Sequence, residues 1–183
     1  MSESSSQLSG QLLWQRAMDL ASRRHQGQFR RNGITPYASH PLRVAMVISA
    51  VFGIQDERIL AAAAMHDLIE DTPVDYDEIT EHFDAEIAGW VATMSKDMRL
   101  PEDRREEEYD RALAAGPWQA RLIKLADVYD NLSDCREERA ISKAADKARR
   151  AVALAADAPE LQSAVRCVND LLHTINADEH AVN

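Results

Sequence analysis

Glycine and proline are scarce in this chain of 183 residues, at six each. Few helix breakers and abundant Ala and Leu favour helices over strands. Cysteine is scarcer still. Cys135 and Cys167 are two lone cysteines with no close pairing, which suits reduced thiols in a cytoplasmic protein. No segment approaches the ~20 apolar residues that span a bilayer. The longest largely apolar run is VAMVISAVFGI, residues 44–54, so no membrane partner is expected. The start, MSESSSQLSG, lacks the basic segment and apolar core of a secretory signal. No alternating strand pattern persists, and no stretch repeats.

What is present is an acidic, globular composition. Apolar residues make up 45%, charged residues 28%, and the net charge is −10. The length favours one domain. Such a charge repels nucleic-acid polymers. One segment opposes it: SRRHQGQFRR, residues 22–31, holds Arg23, Arg24, Arg30, Arg31 and His25 with no acid. A basic island on an acidic protein points to a small polyanion.

Residues 1–9 are Ser-rich and read as a disordered tail. From Gln11 to about His25, Trp14, Ala17, Met18 and Ala21 recur at helical spacing. A loop follows over 26–39. Pro41 opens a helix to Phe52 that is apolar nearly all round and is expected to be central. Asp56 can cap a helix running through Glu70. Two short helices are expected before a charged stretch that turns helical after Pro101. Gly116-Pro117 makes a break. Leu122, Leu125, Tyr129 and Leu132 then mark one face of a further helix. Two more helices, over about 137–155 and 158–175, precede a frayed end. The expectation is an all-α bundle over residues 10–176, with a tail at 177–183.

Within AAAAMHDLIEDTP, residues 61–73, an apolar helix acquires His66, Asp67, Glu70 and Asp71 in six residues. A buried carboxylate needs a compensating partner, and a divalent metal is one. Glu70 lies one turn beyond His66 and Asp71 one turn beyond Asp67, so proton-handling acids would flank the metal-facing pair. YASHP adds His40 and KLADVYDN adds Asp127, with Asn131 one turn on. Two His and two acids suit Mn, Fe or similar ions, with zinc not demanded. His82 and His173 read as surface residues and His25 as a residue that orders the loop. Trp14, Trp90 and Trp118 read as core or interface anchors.

The ordered set SHP…HDLIEDT…KLADVYDN, with RRHQGQFRRNGITPYASHPLRVA before it and EEEYDRAL between, resembles the HD-domain metal-dependent phosphohydrolases. Within them it is most similar to the hydrolase half of the Rel/Spo family and its small stand-alone alarmone hydrolases, over roughly residues 11–135. The resemblance implies a single HD-domain bundle in which His40, His66, Asp67 and Asp127 hold one Mn²⁺. It implies that Glu70 and Asp71 handle the attacking water and the leaving oxygen. Arg30 and Arg31 would line the guanine pocket, Tyr37 would shape it, and Asn131 would contact the nucleotide. Lys96 is a candidate phosphate contact. The implied reaction removes pyrophosphate from the 3′ position of ppGpp or pppGpp. No synthetase domain fits this length, so degradation alone is expected; a homo-oligomer is compatible with the sequence.

The last motif departs from the family pattern Ala-Asp-Arg-x-His-Asn. Val128 stands for the Arg and Asp130 for the His. A lost cation and a gained acid near the pocket would alter phosphate affinity or the nucleotide accepted. Two further readings follow: an HD phosphohydrolase for another nucleotide or phosphorylated dinucleotide, and a non-catalytic alarmone-binding module.

Overall fold

A computed structural model describes residues 12–181; the tail expected over residues 1–9 lies outside the described residues. Helices account for the regular structure. They are α1 (Leu13–Arg24), α2 (Ser39–Met46), α3 (Glu57–Ala64), α4 (Leu68–Asp71), α5 (Tyr76–His82), α6 (Ala85–Thr93), α7 (Glu102–Ala115), α8 (Trp118–Asp134), α9 (Glu138–Ala155) and α10 (Gln162–Ala181). A π-helical turn, Val47–Val51, prolongs α2, and a 3₁₀ turn, Pro159–Leu161, leads into α10. Among the described residues there is no strand. One bridge, Phe29 to Pro36, closes the loop between α1 and α2.

Local chemistry sets the helix starts. Asp56 accepts hydrogen bonds from the Arg58 and Ile59 N–H groups, Asp75 from Glu78 N–H, and Asp84 from Glu86 and Ile87 N–H. Each side chain satisfies backbone donors that a helix start leaves unpaired. Gly53 follows the π-helical turn at φ +76°, a backbone region that favours glycine.

Three expectations are corrected. The helix that fills the middle is α8, not α2. It buries Leu122, Ile123, Leu125, Ala126, Val128 and Leu132, and packs against α2, α3, α6, α7, α9 and α10. Helix α2 rests on α3 and α8 with one side, while Leu42 and Met46 are about half exposed on the other. An apolar circumference identifies a helix with few polar residues, not the side its neighbours choose. Second, the helix expected from Asp56 through Glu70 is broken: α3 ends at Ala64, residues 65–67 form a turn, and α4 starts at Leu68. Third, α10 runs to Ala181, so the first part of the tail expected at 177–183 is helical. Leu161, Ala164, Val165, Val168 and Leu172 bury the stripe that anchors it.

Candidate metal centre

On an unbroken helix, adjacent side chains diverge by about 100°. The turn after α3 removes that divergence for His66 and Asp67, and His66 Nε2 lies 3.1 Å from Asp67 Oδ1. His40 arrives from the first turn of α2 and Asp127 from the middle of α8. His40 Nε2 is 3.2 Å from Asp127 Oδ1 and 3.6 Å from Asp67 Oδ2. His66 Nε2 is 3.8 Å from Asp127 Oδ1. His40, His66 and Asp67 each offer a ligand atom, all within 4.8 Å of one another.

Both rings face the cluster with the same atom. His66 Nδ1 is 2.9 Å from the Ala63 carbonyl oxygen, and His40 Nδ1 is 2.7 Å from Asp130 Oδ2. Nδ1–H donates in each case, which leaves Nε2 toward the carboxylates. Both imidazoles are almost fully buried. Burial alone would lower their pKa values; the surrounding carboxylates override it. Asp67 and Asp127 carry His66 up to about 9. Asp127 and Asp130 hold His40 above its ordinary value. Burial would raise Asp67 too, but His66 brings it down to about 2.

The cluster thus attracts positive charge. His66 Nε2 is nevertheless buried without a hydrogen-bond partner, although Asp67 Oδ1 is close by. That direction suits a cation shared between nitrogen and oxygen better than a direct N–H···O bond. The donor set of two imidazoles and two carboxylates fits a divalent transition metal.

Asp127 has further partners. Its Oδ2 accepts from Lys124 Nζ at 2.8 Å, and its Oδ1 accepts from Asn131 Nδ2. Burial would lower Lys124, but Asp127 outweighs it and holds the ammonium charged. Lys124 and Lys96 also lie over the Tyr109 ring, 5.4 and 4.9 Å from its centroid.

Glu70 and Asp71 border this cluster from α4. Glu70 Oε2 accepts from the Lys96 backbone N–H at 3.0 Å. Burial, with Asp67 nearby, lifts the pKa values of Glu70 and Asp71. Tyr37 Oη lies 2.6 Å from Asp67 Oδ2 and 3.1 Å from Asp71 Oδ2. Burial and these acids push its pKa far up, so the hydroxyl stays a donor. Tyr37 also packs on His25, ring centroids 4.7 Å apart. His25 is buried beside Gln28 Oε1, and Gln28 Nε2 donates to the Asp71 carbonyl, so this residue does order the loop.

The remaining sequence candidates divide. Arg30 Nη2 donates to Asn131 Oδ1 at 2.9 Å, its guanidinium lies 5.7 Å from the Tyr37 ring centroid, and it pairs with Asp134. Arg30, Tyr37 and Asn131 are therefore one contact group beside the acids, and Arg31 is exposed next to them. Lys96 approaches Glu70 by its backbone, while its ammonium pairs with Glu106 at 2.6 Å. His82 and His173 are exposed, and Trp90 is in the core. Sequence reasoning missed Lys124, three residues before Asp127, and Arg43, three after His40. Helical spacing from the candidate ligands was the available signal for both.

A family profile described as "HD domain" matches residues 17–155. Among curated proteins, the chain is similar to guanosine-3′,5′-bis(diphosphate) 3′-pyrophosphohydrolase MESH1 of Homo sapiens, 38% identical over 120 residues. That alignment covers 64% of this chain and 66% of the human protein, so the match spans just under two thirds of that relative. It is also similar to the guanosine-3′,5′-bis(diphosphate) 3′-pyrophosphohydrolase of Aquifex aeolicus (strain VF5), 36% identical over 131 residues. There the alignment covers 68% of this chain and 18% of the relative. A solved structure described as "A metazoan ortholog of SpoT hydrolyzes ppGpp and plays a role in starvation responses" superposes with a TM-score of 0.78. It covers 95% of this chain and 98% of its own at 23% identity, which is a likeness of fold.

Proposed function

The chain belongs to the HD domain family, and from that premise we propose that it is a Mn²⁺-dependent hydrolase that removes the 3′-pyrophosphate of ppGpp or pppGpp, yielding GDP or GTP. The observation that carries the reading is the approach of His40, His66, Asp67 and Asp127 to one point, with Glu70 and Asp71 at its edge. Relatives that bear the name of this activity support the choice of substrate.

His40 Nε2, His66 Nε2, Asp67 and Asp127 would hold the ion. When bound, a divalent ion there supplies Lewis-acid polarisation of the phosphoryl group and acidifies water. The chain's own groups do the rest. Glu70, lifted by burial and anchored by the Lys96 N–H, accepts the proton of the attacking water. Asp71, also lifted, returns a proton to the ribose 3′ oxygen as its bond to phosphorus breaks. Tyr37 holds Asp67 and Asp71 in register through its hydroxyl. Arg30, Arg31 and Asn131 line the nucleotide side, where guanidinium planes suit a purine face. Lys96 serves the site through its backbone N–H to Glu70, because its ammonium is held by Glu106.

The reading for another nucleotide drew on Val128 and Asp130. Val128 is buried in the core, and Asp130 is bonded to His40 and Arg43. Neither change therefore argues for a different nucleotide. The test is a panel of ppGpp, pppGpp and nucleoside 5′-monophosphates incubated with purified protein and Mn²⁺. Pyrophosphate release from the 3′-substituted members is expected. Protein that retains the metal yet releases none from ppGpp overturns the reading.

A further inference from the structure

Asp130 is buried. Its Oδ2 sits 2.7 Å from His40 Nδ1 and accepts from Arg43 Nη2 at 3.0 Å, while its Oδ1 accepts from Arg43 Nε at 2.7 Å. That two-pronged grip is the geometry in which guanidinium and carboxylate bind best. His40 and Arg43 are one turn apart on α2; Asp127 and Asp130 are one turn apart on α8. The ion pair therefore joins the two helices immediately beside the point where His40 and Asp127 meet. Arg43 Nη2 also reaches Asp134, a further turn along α8, at 3.0 Å.

We propose that Asp130, clamped by Arg43, is a positioning residue that fixes the His40 ring and strengthens Nε2 as a ligand for a divalent cation. The inference rests on the metal-site reading above and concerns residues outside the ligand set. An imidazole that donates its second N–H to a carboxylate is held in one tautomer and one orientation and becomes a more basic ligand. His66 lacks such help, because its Nδ1 faces the neutral Ala63 carbonyl. Of the two rings, His40 alone is backed by a full charge. Arg43 is required because a buried carboxylate without a cation is costly. Its two bonds also leave Asp130 one direction in which to face the ring.

The experiment measures Mn²⁺ affinity, by electron paramagnetic resonance of the free ion, on chelator-stripped full-length protein at one fixed pH. Asp130→Ala is expected to weaken binding about 10–100-fold. Asp130→Asn keeps an acceptor oxygen without the charge and is expected to fall between that variant and wild type. Arg43→Gln is expected to weaken binding less than Asp130→Ala, and to add nothing when combined with it, since Arg43 acts through Asp130. A purely structural role would lower the melting temperature of the metal-free variants and leave the affinity of the folded protein intact. Folded Asp130→Asn and Arg43→Gln proteins that bind Mn²⁺ as tightly as wild type overturn the inference, even if Asp130→Ala does not fold. Wild-type protein that binds Mn²⁺ but releases no pyrophosphate from ppGpp overturns the proposed activity, while the ranking of affinities still decides the role of Asp130. Wild-type protein that binds no Mn²⁺ overturns both.

Discussion

Helix α7 and the surroundings of His66 are both rich in charge. On α7, Arg104 pairs with Glu108 and Arg111 with Glu107, each one turn apart, with side chains that are mostly exposed. Around His66 the charged groups come from α2, the turn after α3 and α8, and most are buried. The first arrangement needs only helical spacing. The second needs three separate segments to meet. Water screens the α7 pairs, and such pairs contribute roughly 0–1 kcal/mol. Buried groups have no such screening, so removal of one leaves its partners uncompensated. Charge density therefore says little about importance until burial is known.

The sharpest way to break the comparison is Asp67→Ala. Metal affinity and pyrophosphate release are expected to vanish together, by more than the roughly 100-fold that outer partners command. Calorimetric titration with Mn²⁺ beside the release assay checks this; full activity in the variant would place the chemistry elsewhere. Glu70→Ala separates proton handling from metal holding. It should keep the metal and turn over about 10²–10⁴-fold more slowly, the range of general acid–base contributions. Loss of metal in this variant would make Glu70 a ligand instead.

Proton linkage sharpens the contrast further. His66 titrates near 9 in the metal-free fold against 6.5 ordinarily. Its raised pKa stabilises the fold fully below about 6.5, and that stability is lost as pH rises through about 9. Chelator-treated protein should lose on the order of 3 kcal/mol over this window, read from urea midpoints. Added Mn²⁺ should restore most at the alkaline end, where no ring proton must leave first. A flat profile would deny the charge coupling of His66 to its carboxylates. At the small end, Glu107→Gln should change stability by less than about 0.5 kcal/mol and leave Mn²⁺ affinity alone. A large loss there would mean that α7 charge matters as buried charge does.

Much of the fold and the site is legible in the sequence. Helical breakers, the Asp56 cap, the break at Gly116-Pro117 and the starts of α5 to α9 follow from local rules. The candidates His40, His66, Asp67 and Asp127 stand out because polar groups interrupt apolar helices, and they do come together. Less is visible for Asp130. From spacing it looks like a stray acid near the nucleotide, whereas it turns to the far side of His40. Arg43, from a different helix, decides that orientation. Arg30 reads as part of a basic island that would line the guanine pocket, and its engagement by Asn131 and Asp134 is not visible in the sequence. The centrality assigned to α2 fails for a related reason: composition tells how much surface a helix prefers to bury, while its neighbours determine which side they cover.

The chain alone determined that it would be helical, roughly where most of the helices start, and which residue types cluster within a turn, because those depend on interactions within a few residues. Only the tertiary structure decided that His66 and Asp67 leave a helix to face the same point, that α8 and not α2 runs through the centre, and which nitrogen of each imidazole is turned inward. Those outcomes depend on contacts between segments far apart in the chain, such as the 90 residues that separate His40 from Asp130, and no local pattern records them.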